Sequence, residues 1–164
     1  MKELILMRHA KSDWHSAGLR DHARPLNARG RRSATALGNW LRAQGLIPDQ
    51  ILCSSAIRTQ ETCQRLKLPL APDLHDALYL AEAPQMLRVL RGATGARVLM
   101  LGHNPGIAEF AARLVATPPA HERFDDYPTG ATLVVRFDIA GWADLTPGTG
   151  AVRRFVIPRE LIQE

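Results

Sequence analysis

Cysteine, aromatic residues and long apolar runs are all scarce in this chain of 164 residues. The two cysteines, Cys53 and Cys63, are too few for a disulfide framework, and their spacing fits no four-ligand zinc pattern. The apolar run nearest the N-terminus, Leu4 to Met7, ends at Arg8 and is far too short to cross a bilayer. We therefore expect a cytoplasmic protein with reduced thiols and with neither a signal peptide nor a membrane anchor.

Lysine is also rare, because only three of the 21 basic residues are lysines, and the 16 acidic residues leave a net charge of +5. The planar guanidinium of arginine suits phosphate groups, so this bias is compatible with an anionic partner. Arg29, Arg31 and Arg32 cluster in the first turns of a predicted helix that adjoins no aromatic stacking platform. We interpret this cluster as a solvated face and expect no nucleic-acid partner.

The hydrophobic pattern alternates between short buried strands and amphipathic helices. The predicted strands are Glu3–Met7, Gln50–Ser54, a short piece around Leu74, Arg97–Leu101, Ala131–Phe137 and Ala151–Ile157. The predicted helices run from an N-cap at Asn27 to about Gly45, from a cap at Ser55 to Leu66, over Ala83–Leu90, and over Ile107–Val115, with Asn104 as N-cap and Pro105 in the first helical position. This order predicts an α/β fold of one domain over residues 1–164, a three-layer sandwich whose mostly parallel sheet has helices on both faces and an antiparallel last pair at an edge.

Basic and imidazole side chains follow three of the predicted strands. Arg8 and His9 end one strand, Arg58 lies one turn beyond another, and His103 follows a third. Because such sheets bind ligands at the carboxyl ends of their strands, we expect these side chains to meet. Arginine binds the equatorial oxygens of a phosphoryl group, and a neutral imidazole can attack phosphorus in line. The pattern therefore predicts a phosphoryl-transfer site, with the arginines favouring neutral histidines.

A histidine at a strand end is more often structural than catalytic, but two histidines that both meet an anion-binding context favour function. The remaining histidines lack such a context and are interpreted as loop or surface residues: His15, His22, His75 and His121. Cys53 falls inside an apolar strand, and we interpret it as a buried structural thiol and not as a nucleophile.

Four motifs together resemble the histidine phosphatase superfamily, and most closely its SixA-like phosphohistidine phosphatase branch. They are LMRHAKSDW (6–14), DHARPLNARG (21–30), SSAIRTQET (54–62) and GHNPG (102–106), in the order that the family has them. The resemblance implies a phosphoglycerate-mutase-like fold without a large cap. Ala10 departs from the Arg-His-Gly form of the wider superfamily but agrees with the SixA-like branch.

The resemblance implies that His9 is the nucleophile that becomes phosphorylated, and that Arg8, Arg58 and His103 hold the phosphoryl group. Arg24 matches a branch motif for which substrate binding and loop positioning both stay open; we assign it, with Asn104, to substrate binding. No metal-ligand pattern accompanies the histidines, so we expect neither metal nor cofactor.

Mutases and many small-molecule phosphatases of this superfamily carry an acidic proton donor after the third strand. This chain has Asp76, Tyr79 and Glu82 there, and the resemblance implies that Tyr79 is at the donor's position. An alkoxide leaving group needs such a donor far more than the imidazole of phosphohistidine does. We therefore predict a phosphatase that acts on phosphohistidine in a signalling or phosphotransfer protein and releases inorganic phosphate. The alternatives are a phosphatase of small phosphate esters and, in another class, a phosphoprotein-binding module without turnover.

Overall fold

Within residues 1–162, which the computed structural model describes, six strands form one mixed sheet. The strands are β1 (Lys2–Arg8), β2 (Gln50–Ser54), β3 (Asp73–His75), β4 (Arg97–Gly102), β5 (Thr132–Phe137) and β6 (Ala151–Val156), in the spatial order β3-β2-β4-β1-β5-β6. The first four strands in that order are parallel, whereas β5 is antiparallel to both β1 and β6. The predicted α/β class and the antiparallel last pair are confirmed.

Helices cover both faces of the sheet, and the alternation of side chains along β1 shows how. The helices are α1 (Ala28–Ala43), α2 (Ile57–Leu66), α3 (Ala83–Arg91) and α4 (Gly106–Leu114). Leu4 and Leu6 belong to the apolar cluster that includes α3 and α4, whereas Ile5 and Met7 belong to the cluster that includes α1 and α2. This arrangement is the predicted three-layer sandwich. No described helix is long and apolar enough to cross a membrane.

The start of α1 follows the prediction, but the start of α2 does not. Asn27 caps α1, since its Oδ1 accepts a hydrogen bond of 2.8 Å from the Gly30 amide. Ser55 does not cap α2. Ser54 Oγ accepts the Ala56 amide instead, at 3.3 Å, and the Ser55 hydroxyl is hydrogen-bonded to the ring of His22.

The start of α4 is also displaced from its prediction. The helix begins at Gly106, so Pro105 is the N-cap residue and Asn104 lies outside the helix. A Cβ on Gly106 would lie 1.8 Å from the carbonyl oxygen of Ala81, and this close approach requires glycine. Asn104 still contacts the first turn, because its Oδ1 accepts from the Ala108 amide at 3.3 Å.

Two connections border the carboxyl ends of the strands. The loop after β1 folds back on itself through a bridge between Ser12 and Leu26. Between β3 and α3 the chain forms only a 3-10 turn at Asp76–Leu78 and a short extended piece. The second connection is too short for a capping subdomain, in agreement with the fold predicted from the resemblance.

Candidate active site

A cavity of about 530 Å³ opens at the carboxyl ends of the central strands. Five of the six predicted site residues line it: Arg8, His9, Arg58, His103 and Asn104. These residues are distant in the sequence, but the sheet brings them together, since β1 lies directly between β4 and β5 and pairs with both. The topology thus brings the predicted constellation together.

The backbone around His9 is fixed on three sides. Its amide donates to the Gly102 carbonyl at 3.2 Å, and its carbonyl accepts from the Gly130 amide at 2.9 Å. The next amide, that of Ala10, donates to Thr62 Oγ1 at 3.0 Å. These contacts anchor the first residue after β1 to both neighbouring strand ends and to α2.

The ring of His9 is held in one tautomer. Its Nδ1 lies 2.7 Å from the carbonyl oxygen of Ala10. A carbonyl oxygen can only accept, so Nδ1 carries the proton. In the neutral ring, Nε2 is therefore unprotonated and its lone pair is available for attack.

Burial keeps this imidazole neutral. His9 is only 6% exposed, and this burial, together with the positive charges of Arg8 and Arg58, lowers its pKa to about 3 in spite of the opposing bond to Ala10. His9 can therefore be a neutral nucleophile well below pH 7, a property that an exposed histidine does not have.

Buried Arg58 and half-buried Arg8 are held by backbone and carboxylate oxygens. Arg58 donates from Nη1 to the carbonyl of Asp21 at 2.7 Å and from Nη2 to Asp21 Oδ2 at 3.0 Å. Arg8 donates to the carbonyl of Tyr127 at 3.2 Å, while its Nε is buried without a partner among residues 1–162. Burial, followed by repulsion from Arg58, lowers the pKa of Arg8. An anion between these guanidiniums would relieve that repulsion.

His103 forms the other side of the pocket, with its ring centroid 5.3 Å from that of His9. Its Nε2 is 2.7 Å from Ser54 Oγ, and its Nδ1 is buried with no partner in the described chain. Ser54 Oγ accepts the Ala56 amide and has no other acceptor for its proton within residues 1–162, so we place that proton on His103 Nε2, which leaves the proton of His103 on Nδ1. Burial, then repulsion from His9, lowers the pKa of His103 to about 3.

The sequence reasoning missed Asp21, which binds Arg58 and lines the cavity. Its carboxylate also accepts the hydroxyl of Tyr79. Partial burial favours the protonated acid, but the bonds from Tyr79 and Arg58 outweigh it and lower the pKa of Asp21. Asp21 is the first residue of the 21–30 motif, so that motif contained a signal for it, although only Arg24 was assigned a role. His22, interpreted as a loop or surface residue, lies half-buried in the 3-10 turn Asp21–Ala23 of the loop after β1, with Nε2 3.0 Å from Ser55 Oγ.

Arg24 does not lie among the described residues that line the cavity. Its guanidinium stacks on the ring of Trp14, 4.3 Å from the centroid, and donates to the Asp13 carbonyl at 3.3 Å. Of the two roles left open for Arg24, this geometry favours positioning of the loop, and its direct contact with a substrate stays a prediction. All three candidate donors, Asp76, Tyr79 and Glu82, are likewise outside the described lining.

A buried histidine with a free Nε2, set beside Arg8 and Arg58 at the end of a central parallel strand, is typical of enzymes that transfer phosphoryl groups through histidine. Sequence comparison agrees, since the family model of the histidine phosphatase superfamily (branch 1) matches residues 4–84. The chain belongs to the histidine phosphatase superfamily and is a phosphatase.

Within this superfamily the chain is SixA-like. It is 35% identical over 161 residues to the uncharacterized protein Rv1276c of Mycobacterium tuberculosis, covering 93% of this chain and 100% of the relative. It is 26% identical to the phosphohistidine phosphatase SixA of Escherichia coli, covering 85% and 88% of the two chains. A solved structure described as a candidate phosphohistidine phosphatase SixA from Nakamurella multipartitia superposes with a TM-score of 0.83 and 29% identity over 96% of each chain.

Proposed function

We propose that this phosphatase hydrolyses phosphohistidine on another protein, through a covalent phosphohistidine intermediate on His9. The observation that carries the proposal is the hydrogen bond of His9 Nδ1 to the Ala10 carbonyl in a buried, cationic pocket. It leaves a neutral imidazole with one free nitrogen beside two groups that bind phosphoryl oxygens. The relatives named SixA support the choice of substrate.

In the first step, Nε2 of His9 attacks phosphorus while the P–N bond of the substrate breaks. The substrate imidazole, protonated on its other nitrogen, leaves as a neutral ring, and His9 takes both the phosphoryl group and the positive charge. In the second step, water attacks phosphorus, the bond to Nε2 breaks, and inorganic phosphate and a proton are released. Arg8, Arg58 and the Nδ1–H of His103 bind the oxygens in both transition states.

The proton donors available in this site favour a nitrogen leaving group. An alkyl phosphate must gain a proton on its departing oxygen, whereas exchange between two imidazoles needs none. Asp21 lines the cavity, but its lowered pKa leaves it ionised at neutral pH. The hydroxyl of Tyr79 is engaged by Asp21, and burial together with that carboxylate raises its pKa. Neither group is suited to protonate an alkoxide.

A cysteine mechanism is disfavoured by the surroundings of Cys53. This thiol is fully buried in β2, and burial, followed by the neighbouring Cys63, raises its pKa far above neutral pH. A thiolate nucleophile needs the opposite environment.

The intermediate can be trapped directly. Brief incubation with phosphoramidate carrying labelled phosphorus, quenched in alkali, should leave an acid-labile, alkali-stable label on the wild-type protein and none on His9→Ala. Cys53→Ser serves as the matched control and should label like the wild type. Label that disappears with Cys53, or that survives in His9→Ala, would show that the assigned nucleophile is wrong.

The substrate class needs a second experiment. Initial rates with a phosphohistidine peptide and phosphoramidate should exceed those with sugar and nucleotide monoesters, and Glu82→Gln should leave the phosphohistidine rate unchanged. If a specific ester is turned over faster and Glu82→Gln abolishes that turnover, the protein is a small-molecule phosphatase and Glu82 is its proton donor.

A further inference from the structure

The mouth of the active-site cavity exposes two large apolar side chains, Trp14 at 65% and Leu80 at 53%. Neither apolar side chain can bind the oxygens of a phosphoryl group. We infer that they form a docking surface, together with the cations Lys11 and Arg159, for a protein face that presents acidic and apolar side chains beside its phosphohistidine. This inference rests on the proposed function and specifies its partner.

Trp14 is exposed but held in place. The guanidinium of Arg24 covers one face of its ring at 4.3 Å. The turn that carries it is closed by Asp13, which accepts from the His15 amide at 2.8 Å and from the Ser16 hydroxyl at 2.7 Å. An aromatic side chain fixed before binding loses little conformational entropy when a partner covers it, which is the property of an interface anchor. Arg24 then acts on substrate binding through Trp14.

Leu80 is unusual in its backbone as well as its exposure. Its φ is 49°, in the left-handed region that glycine and asparagine normally occupy. The preceding residue, Tyr79, is fixed by its hydroxyl on Asp21. Leu80 is the third residue of a turn that the Ala81 amide closes on the Leu78 carbonyl at 3.3 Å, a position where glycine is usual, and strain of this kind is concentrated at binding sites. The conformation places an apolar group at the lining of the cavity.

The charge of the cavity lining points to an acidic partner. Lys11 and Arg159 line the cavity in addition to Arg8 and Arg58. Among the described lining residues the one acidic side chain is Asp21, whose carboxylate already binds Arg58. The phosphoryl group balances the charges of Arg8 and Arg58, so Lys11 and Arg159 can attract carboxylates of the partner.

Two synthetic peptides of equal length test the inference. Each contains one phosphohistidine, flanked by glutamate and leucine in one peptide and by lysine and serine in the other. Binding is measured by fluorescence anisotropy on His9→Ala, which does not turn the peptides over, and hydrolysis is measured on the wild type. The glutamate-leucine peptide should bind at least about tenfold more tightly, the effect expected of an anchor side chain with complementary charge.

Matched variants in the His9→Ala background locate the surface. Trp14→Ala and Leu80→Ala should each remove most of the preference for the glutamate-leucine peptide, whereas Leu74→Ala should keep it, because Leu74 is 50% exposed at a sheet edge outside the described cavity lining. Lys11→Glu should reduce the preference more than Lys2→Glu does. Lys2 begins β1 at the opposite end of the sheet and gives the same change in net charge.

The outcomes separate this inference from the proposed function. Equal affinity for the two peptides, or a preference that survives in both Trp14→Ala and Leu80→Ala, overturns the docking surface whatever the rates are. Failure of the wild type to hydrolyse either peptide overturns the proposed function, while the measured binding preference still decides the docking surface.

Discussion

Acidification from pH 7 to pH 5 should leave the phosphorylation of His9 almost unchanged. Burial, aided by Arg8 and Arg58, lowers the pKa of His9 to about 3. A histidine with an ordinary pKa of about 6.5 would be only roughly 3% neutral at pH 5, whereas one with a pKa near 3 is still about 99% neutral. The attacking lone pair is therefore present throughout. We expect the enzyme's own contribution to the rate to change less than about twofold, where an unperturbed histidine would lose about twenty-fivefold.

The assay is a single-turnover phosphorylation, quenched in alkali and followed by the label on His9. Protonation of the substrate nitrogen also depends on pH, so the profile is measured with both phosphoramidate and phosphoimidazole, whose nitrogens titrate differently. A change in rate that is caused by titration of an enzyme group appears at the same pH with both substrates. A common loss of rate centred near pH 6.5 would refute the buried, neutral His9 on which the mechanism depends.

Three further predictions concern the same molecule. Arg58→Ala removes a two-pronged donor from the phosphoryl group and should lower kcat by roughly several hundredfold, about 3–4 kcal/mol, with a near wild-type rate contradicting its assigned position. Gly30→Ala places a Cβ 2.0 Å from a backbone carbonyl oxygen of the neighbouring loop and should lower the free energy of unfolding in urea by about 1–3 kcal/mol. Gly141→Ala, where the nearest atom within reach is at 4.0 Å, should change it little. The pKa values of His9 and His103 are about 3 in the folded protein and about 6.5 in the unfolded chain, so the unfolded chain binds protons at a higher pH than the folded protein does. From pH 6 to pH 4 the free energy of unfolding should therefore fall by about 1.4 kcal/mol per pH unit for each histidine. His103→Asn should remove about half of that slope.

The fold and the centre of the site could be predicted because both depend on periodic patterns. Strands buried on two faces appear in the sequence as short apolar runs. A residue that follows such a run lies at the carboxyl edge of the sheet. Arg8, His9 and His103 each follow a strand directly, so their meeting required only the correct fold class. Arg58 required one more step, the first turn of the following helix.

The contacts that the sequence did not predict lie in loops, where the chain has no periodic pattern. Asp21 reaches Arg58 from a loop of irregular conformation, and Tyr79 reaches Asp21 from a second loop. How two loops approach one another depends on tertiary contacts, which a local pattern does not contain. The start of α4 was misplaced for a related reason: Gly106 is needed for its close approach to Ala81, and that neighbour is distant in the sequence.

The order of the strands has a consequence for synthesis of the chain. β1 is made first, yet its two neighbours in the sheet are β4 and β5, which end at Gly102 and Phe137. A nascent chain on the ribosome therefore carries the proposed nucleophile early, next to a strand with two unpaired edges that can pair wrongly or aggregate. His9 gains its backbone partners on Gly102 and Gly130 only after most of the polypeptide has emerged, so the enzyme has no completed pocket in which to be phosphorylated before its own translation is nearly over.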